Sequence, residues 1–253
     1  MLPLYQREAL WLSFDTEEPA ALQVGTGQVC AVSGDPWVDR LRKRRQNYVA
    51  LPEQPWLDGI NAGDGFVRQF VAVPLGSGAT VEEQVTGQAV HGGVQLRAVG
   101  LTVDALDRWR SSDTFVRDSM IVGCAPTPDM GLGAGGRMRQ ELYRDDRKLA
   151  DYDPGRAGRV FVHLCSAAQW TAITGEIPPP TPIDREAYVK AGLPWFDYYD
   201  ADATDLPPST TLRNVKSIGE LLGETPTAVA PIDAGTVVAL KHSGGVPVDQ
   251  GTW

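Results

Sequence analysis

The chain has 253 residues, 42% of them hydrophobic and 22% charged, a composition typical of globular proteins that excludes disorder over the whole length. Its formal net charge of −9 repels phosphate backbones, which argues against nucleic acid as a general partner. The 27 glycines and 19 prolines favour many turns over long helices, and no stretch approaches the roughly 20 apolar residues of a membrane span.

The first hundred residues consist mostly of short apolar runs separated by turn residues, which is typical of an all-β framework. These runs cover residues 5–14, 47–60, 66–75, 79–86 and 92–101. Gly25 and Gly27 mark a hairpin between two shorter runs. We therefore predict a β-sandwich or jelly-roll core over residues 1–103, and we expect Trp11 to be buried in it.

The rest of the chain divides into three parts. Residues 104–130 are rich in Asp and Arg and are predicted to be a charged connecting excursion. Residues 131–222 are predicted to be a mixed α+β part that completes the same domain or a second one. Its expected elements are a strand at 160–164 and helices at 167–173, 184–191 and 218–222. Residues 223–253 are predicted to be an extended C-terminal tail with one strand at 236–240. The predicted fold class is thus mainly β.

A glycine-rich hexad, Gly131 to Gly136, has the literal GxGxxG spacing of a dinucleotide-binding turn. That turn requires a buried strand immediately before it, whereas residues 125–129 here contain two prolines. We therefore interpret the hexad as a flexible or bulged turn and predict no nucleotide cofactor.

Catalytic and redox signatures are weak. The three cysteines are widely separated and odd in number, so neither a disulfide framework nor a metal knuckle is implied, and we expect a soluble, cytoplasmic protein. His163 and Cys165 lie two apart on a predicted strand and could form a dyad or half a metal site, although a core histidine is the commoner case. For an enzyme, His163, Glu82, Glu83 and an Asp cluster are the groups that we nominate.

That Asp cluster and the aromatic residues beside it form the candidate ligand sites. Carboxylates within nine residues offer the hard oxygens that calcium prefers, although no EF-hand glycine or terminal glutamate accompanies them. They are Asp197, Asp200, Asp202 and Asp205. Neighbouring aromatic side chains could form a platform for a sugar or a protein partner, or pack in the core. They are Trp195, Phe196, Tyr198 and Tyr199. We predict no obligatory cofactor and keep calcium as the alternative.

A compact basic run contrasts with the acidic chain as a whole. Its members are Arg40, Arg42, Lys43, Arg44 and Arg45. Such a run is commonly a solvated loop, but it also favours electrostatic docking between copies of an acidic protein. We therefore expect self-association through this patch.

Several phrases taken in order resemble a family of uncharacterised bacterial and fungal proteins. The phrases are YQREALW (5–11), PEQPWLDG (52–59), VRQFVAVPLG (67–76), GGRMRQ (135–140), PPTP (179–182) and GLPWF (192–196). No established activity accompanies this resemblance, so it carries over no catalytic residue. Some fungal members are joined to ubiquitin-like sequence, which implies a modular interaction protein.

The sequence therefore favours a non-enzymatic binding or self-assembling interaction protein of unknown ligand, because no acid, base and nucleophile occur at recognisable spacing. Two alternatives stay open. One is an enzyme, hydrolase-like, with a site assembled from distant loops. The other is a glycan-binding module.

Overall fold

The computed structural model describes residues 1–111, 130–178 and 204–223, and the backbone alone at 195–197 and 237–239. Over these residues the protein is mainly β, as predicted. Two sheets pack face to face around a shared apolar core, which is the arrangement of a β-sandwich. No helix in the described part of the chain has the length and apolar character needed to cross a membrane.

The first sheet has six strands that come from distant parts of the chain. They are β1 Leu2–Leu4, β2 Ala9–Leu10, β8 Gly59–Gly63, β9 Phe66–Pro74, β11 Met130–Arg139 and β13 Leu164–Ser166. Their order is β1-β13-β11-β9-β2. β8 also pairs with β9, through residues 66–69, next to the two residues of β9 that pair with β2. β1 runs parallel to β13, and the other pairs are antiparallel.

The second sheet has five antiparallel strands. They are β4 Ala20–Thr26, β5 Val29–Cys30, β6 Val49–Leu51, β10 Val94–Leu101 and β12 Tyr152–Val162. The order is β12-β10-β4-β5, and β6 also pairs with β4. Strands after residue 130 therefore complete both sheets, so neither sheet is built from residues 1–103 alone. The hairpin predicted near Gly25 joins β4 to β5, and its turn lies at Gly27, where φ is +57°.

Two short strand pairs lie apart from these sheets in the part of the chain that the structure describes. β3 Leu12–Ser13 pairs with β7 Trp56–Leu57, and β14 Trp195–Asp197 pairs in parallel with β15 Val237–Ala239. The last strand agrees with the one predicted at 236–240 in the C-terminal tail. The strand predicted at 160–164 is also found, although it is divided at His163 between β12 and β13.

Five short α-helices lie around the sheets within the described residues. They are α1 Val81–Thr86, α2 Val103–Ser111, α3 Ala167–Thr174, α4 Thr210–Arg213 and α5 Ile218–Leu221. The helices predicted at 167–173 and 218–222 are confirmed as α3 and α5, each with a serine N-cap. The charged excursion predicted from residue 104 begins as α2, which packs against β10, and residues 112–129 and 184–191 lie outside the described residues.

Helix α1 corrects the strand predicted at 79–86. Thr80 accepts a hydrogen bond from the backbone N–H of Glu83, and the Glu83 carboxylate accepts one from the N–H of Thr80, which is a capping box. Gly87 ends the helix in the left-handed conformation. Val81 and Val85 are four positions apart and both face the core, a helical spacing that the β-branched composition concealed.

The expectation that Trp11 belongs to the core is wrong. Its side chain is 63% exposed, in the single-residue gap between β2 and β3. The core is built instead from inward residues of the longer strands, among them Val24, Val94, Phe70 and Leu132. Cys30 and Cys165 are buried thiols.

The glycine hexad lies inside a strand and is not a strand-to-helix turn. Gly131 to Gly136 belong to β11, whose pairing with β9 shifts register between Ala134 and Arg137, as a β-bulge does. A Cβ on Gly131 would lie 2.8 Å from the Thr80 methyl carbon, so glycine there lets the start of α1 approach the strand closely. The interpretation of the hexad as a flexible or bulged turn is therefore wrong, because the hexad belongs to a strand whose pairing shifts register within it.

A second buried cluster lies between the second sheet and α2, and it has a polar centre. The Asp145 carboxylate accepts hydrogen bonds from the hydroxyls of Tyr48, at 2.7 Å, and Tyr152, at 3.0 Å. Burial and the neighbouring carboxylate raise the pKa of both tyrosines. Both phenols therefore stay neutral and act as donors that fix the Asp145 carboxylate.

Candidate functional site

The face of the second sheet that points away from the sandwich core carries polar side chains. Side chains alternate between the two faces of a strand, so residues that lie between the core positions Leu22, Val24 and Val94 point outward. The strand register sets these outward residues in two neighbouring rows. The rows are Gly25, Gln95 and Phe161, and Gln23, Arg97 and Arg159.

Trp37 lies across the first of these rows. Its backbone N–H donates to the carbonyl of Gln28, which ties the segment after β5 to the hairpin turn. A Cβ on Gly25 would lie 2.7 Å from both the Trp37 ring and the Gln95 side chain. Glycine at position 25 therefore allows the indole to lie close to the strand.

Arg159 connects the two aromatic rings at this face. Its guanidinium carbon lies 5.3 Å from the centre of the Trp37 ring and 4.7 Å from that of Phe161, within the range of cation–π contact. The guanidinium also donates to Asp39, at 3.1 Å, and to the Gln95 side chain, at 2.6 Å. Four side chains from three segments therefore hold the guanidinium in one position.

Asp39 and Gln95 extend this network. The Trp37 indole N–H donates to Asp39 at 2.8 Å, so a single carboxylate accepts from both the indole and the guanidinium. The Gln95 amide donates to the carbonyl of Gly27 at 2.5 Å. The network therefore joins the hairpin turn, the central strand β10 and the edge strand β12.

A cleft of about 400 Å³ opens beside this network. The side chains that define its chemistry are Trp37, His91, Gln95, Arg159, Phe161 and His163. The structure thus brings together His91 and His163, which are 72 positions apart in the sequence. None of the described residues that line the cleft is Ser, Thr, Cys, Asp or Glu.

The carboxylate of Glu82, which is only 2% exposed, holds two segments of the cleft wall in place, one at Gln28 and one at His91 and Gly92. It accepts hydrogen bonds from the backbone N–H groups of Gln28 at 3.0 Å, His91 at 3.2 Å and Gly92 at 3.0 Å. A Cβ on Gly27 would lie 2.4 Å from this carboxylate, so only glycine fits beside it.

The residues nominated for an enzyme site therefore do not lie together in the structure. His163 lies in the cleft, whereas Glu82 is occupied by backbone amides and Glu83 caps α1. Burial raises the pKa of Glu83, but hydrogen bonds from Thr80 and nearby amides outweigh it and leave that pKa lowered. Cys165 is buried and donates towards the carbonyl of Leu2 at 3.7 Å. It does not line the cleft with His163.

The predicted basic patch folds back on its own chain. Arg42 and Arg45 pair with the Asp35 carboxylate at 3.4 and 2.8 Å, and Lys43 donates to the carbonyl of Arg147. Arg40 and Arg44 are exposed. Three of the five cations of the run thus have partners within the chain, which reduces the charge available for docking.

Asp205 has a structural role in the described part of the chain. Its carboxylate accepts hydrogen bonds from the backbone N–H groups of Gly65 and Leu142, both at 3.1 Å, and burial raises its pKa. Asp197 is described only as backbone in β14, and Asp200 and Asp202 lie outside the described residues. No group of three or more potential metal ligands was found among the residues whose positions are described.

Most side chains of the predicted aromatic platform also lie outside the part of the chain that the structure describes. Trp195 and Phe196 are backbone positions of β14, and Tyr198 and Tyr199 lie outside the described residues. Sequence reasoning missed Trp37 and Phe161, the rings that do face the cleft. The signal was the outward alternation of polar residues, Gln95 and Arg97 on β10 and Arg159 on β12, each between apolar neighbours.

Comparison with known proteins gave no match to a family model, to a curated protein or to a solved structure. The resemblance to uncharacterised bacterial and fungal proteins therefore stays a prediction.

Proposed function

We propose that the protein is a non-enzymatic binding protein whose ligand site is the cleft beside Trp37 and Arg159. The observation that carries this proposal is the fixed guanidinium of Arg159, held by Asp39 and Gln95 against two aromatic rings. Binding sites for small molecules commonly combine aromatic walls with a few oriented polar groups in a largely preformed cavity. This cleft has both features.

The lining of the cleft favours binding over catalysis. A hydrolase-like site needs a nucleophile, or a base with a group that orients it. The described lining offers the imidazoles of His91 and His163, with no hydroxyl, thiol or carboxylate beside them.

The buried thiols of Cys30 and Cys165 agree with a reducing, cytoplasmic setting, which we also propose. Self-association through the basic run is a weaker proposal, because Asp35 and the carbonyl of Arg147 already bind three of its cations.

The test is a fragment screen followed by protein-observed NMR. The probes are small neutral, anionic and cationic ring compounds, and the reporters are the Trp37 indole N–H and the Gln95 side-chain amide. We expect at least one probe class to shift both reporters, and we expect the Trp37→Ala variant to lose that binding. Trp11→Ala is the matched control, because that indole is exposed outside the cleft lining.

Two results would contradict the proposal. One is a screen in which no probe shifts the cleft reporters. The other is binding that Trp37→Ala leaves unchanged, which would place the ligand elsewhere. Turnover of a bound ester or glycoside probe, abolished by His163→Ala, would support the enzyme alternative instead.

A further inference from the structure

We infer that the cleft binds a neutral carbohydrate, of the size of a mono- or disaccharide; this inference rests on the proposed function. The first argument is charge. The guanidinium of Arg159 is paired with the Asp39 carboxylate at 3.1 Å, so the most prominent cation of the cleft is already compensated. The chain as a whole carries −9, which disfavours the approach of anions. A neutral ligand suits this balance better than a phosphate or a carboxylate.

The second argument is the pair of aromatic rings. Trp37 and Phe161 both line the cleft, and Phe161 is 57% exposed, which is high for so large an apolar side chain. Aromatic rings have an electronegative face, and the C–H groups on one side of a pyranose ring are weakly electropositive and apolar. A sugar ring stacked on either aromatic ring would cover this apolar surface without requiring a charged ligand.

The third argument is the mixture of hydrogen-bonding groups. A sugar hydroxyl both donates and accepts, so its site needs donors and acceptors side by side. The Gln95 amide already donates to Gly27 and accepts from Arg159, which leaves it one further N–H and one further lone pair, and His91 and His163 each bring ring nitrogens to the cleft. An anion would use only the donors of this set.

The network also holds the cleft in a preformed shape. The groups that orient Arg159 belong to three segments, and Glu82 fixes the turns at Gln28 and His91 that form two of the walls. A preformed site loses little conformational entropy when the ligand binds. The volume of about 400 Å³ lies at the lower end of the roughly 300–1,000 Å³ typical of small-molecule sites.

The experiment is a glycan array that carries neutral and acidic glycans, probed with the full chain displayed multivalently so that weak single sites are detected. Methyl glycosides of the neutral hits are then titrated by calorimetry. We expect neutral glycans to bind, and Trp37→Ala and Asp39→Asn each to weaken the affinity at least about tenfold, about 1.4 kcal/mol. Trp11→Ala is expected to bind as the unmodified protein does.

The outcomes separate this inference from the proposed function. If acidic glycans or inorganic phosphate bind in preference, and Asp39→Asn strengthens their binding, the cleft is an anion site and the inference is wrong. If ring fragments shift the Trp37 reporter but no glycan binds, the inference fails while the proposed function stands. If neither fragments nor glycans bind, both fail.

Discussion

Replacing Glu82 by glutamine tests whether this carboxylate is a structural link between the turns that wall the cleft. The substitution keeps the side-chain volume and removes the charge and one of the two acceptor oxygens. The carboxylate is 2% exposed, so water has little access to replace it. Its partners are the backbone N–H groups of Gln28 on one oxygen, and of His91 and Gly92 on the other.

The magnitude follows from these three hydrogen bonds. In the less costly orientation, the glutamine oxygen keeps the donors of His91 and Gly92, and its NH₂ group opposes the N–H of Gln28. One hydrogen bond to a charged acceptor, worth about 1.5–3 kcal/mol, is then lost, and the other two weaken towards the neutral value of about 0.5–1.5 kcal/mol. Each weakened bond loses about 1 kcal/mol, so we expect the free energy of unfolding to fall by about 3.5–5 kcal/mol in total.

Urea unfolding followed by circular dichroism measures this loss, and hydrogen exchange locates it. The amides of Gln28, His91 and Gly92 should exchange faster than in the unmodified protein. Glu176→Gln is the control, because it removes the same charge from an exposed side chain and should change stability by less than about 0.5 kcal/mol. If Glu82→Gln matched this control in both stability and exchange, the assignment of Glu82 as a structural link would be refuted.

Three further substitutions probe the rest of the fold. Trp11→Ala should cost less than about 1 kcal/mol in thermal unfolding, because the ring is 63% exposed; a loss of 3 kcal/mol or more would show that it is buried. Tyr48→Phe should cost about 1.5–3 kcal/mol in urea unfolding, because the hydroxyl donates to the buried Asp145 carboxylate, and a neutral result would contradict that bond. Burial raises the pKa of Asp58, so its ionised form destabilises the folded protein above that raised pKa and this cost disappears as the pH falls. Asp58→Asn should therefore be at least as stable as the unmodified protein at pH 7. Unfolding measured over pH should show that the extra stability of Asp58→Asn over the unmodified protein shrinks as the pH falls towards the ordinary Asp pKa of about 3.9. If the extra stability grew in acid, the pKa of Asp58 would be lowered and not raised.

The regular parts of the fold could be predicted because their signals are local. Alternating apolar residues identified β9 and β10, and Ser217 with Glu220 identified α5 through its capping box. The same signal, Thr80 with Glu83, was present before α1 but was outweighed by β-branched residues in a stretch too short to show a helical period. Trp11 was misplaced because a large aromatic residue in an apolar run resembles a core residue whichever way it points.

The cleft could not be predicted, because it exists only after strands pair. Trp37 and Phe161 become neighbours of Arg159 through the register that aligns Gly25, Gln95 and Phe161 across three strands. No periodicity within one segment encodes that alignment. Gly25 is required for the cleft, because a side chain at this position would displace Trp37. This role of Gly25 can be recognised only when its contact with Trp37 is known.

The interleaving of early and late strands has a consequence for biosynthesis. Leu2 accepts from Cys165, 163 positions further along the chain, and β9 and β10 each take one neighbour from the segment after residue 129. A nascent chain must therefore be translated through β12 before the second sheet can be completed, and through β13 before the first can, and such distant pairing makes folding slow. Until then the apolar edges of β9 and β10 are unpaired, so fragments that end before β11 should aggregate, and the chain depends on timely completion of its own synthesis.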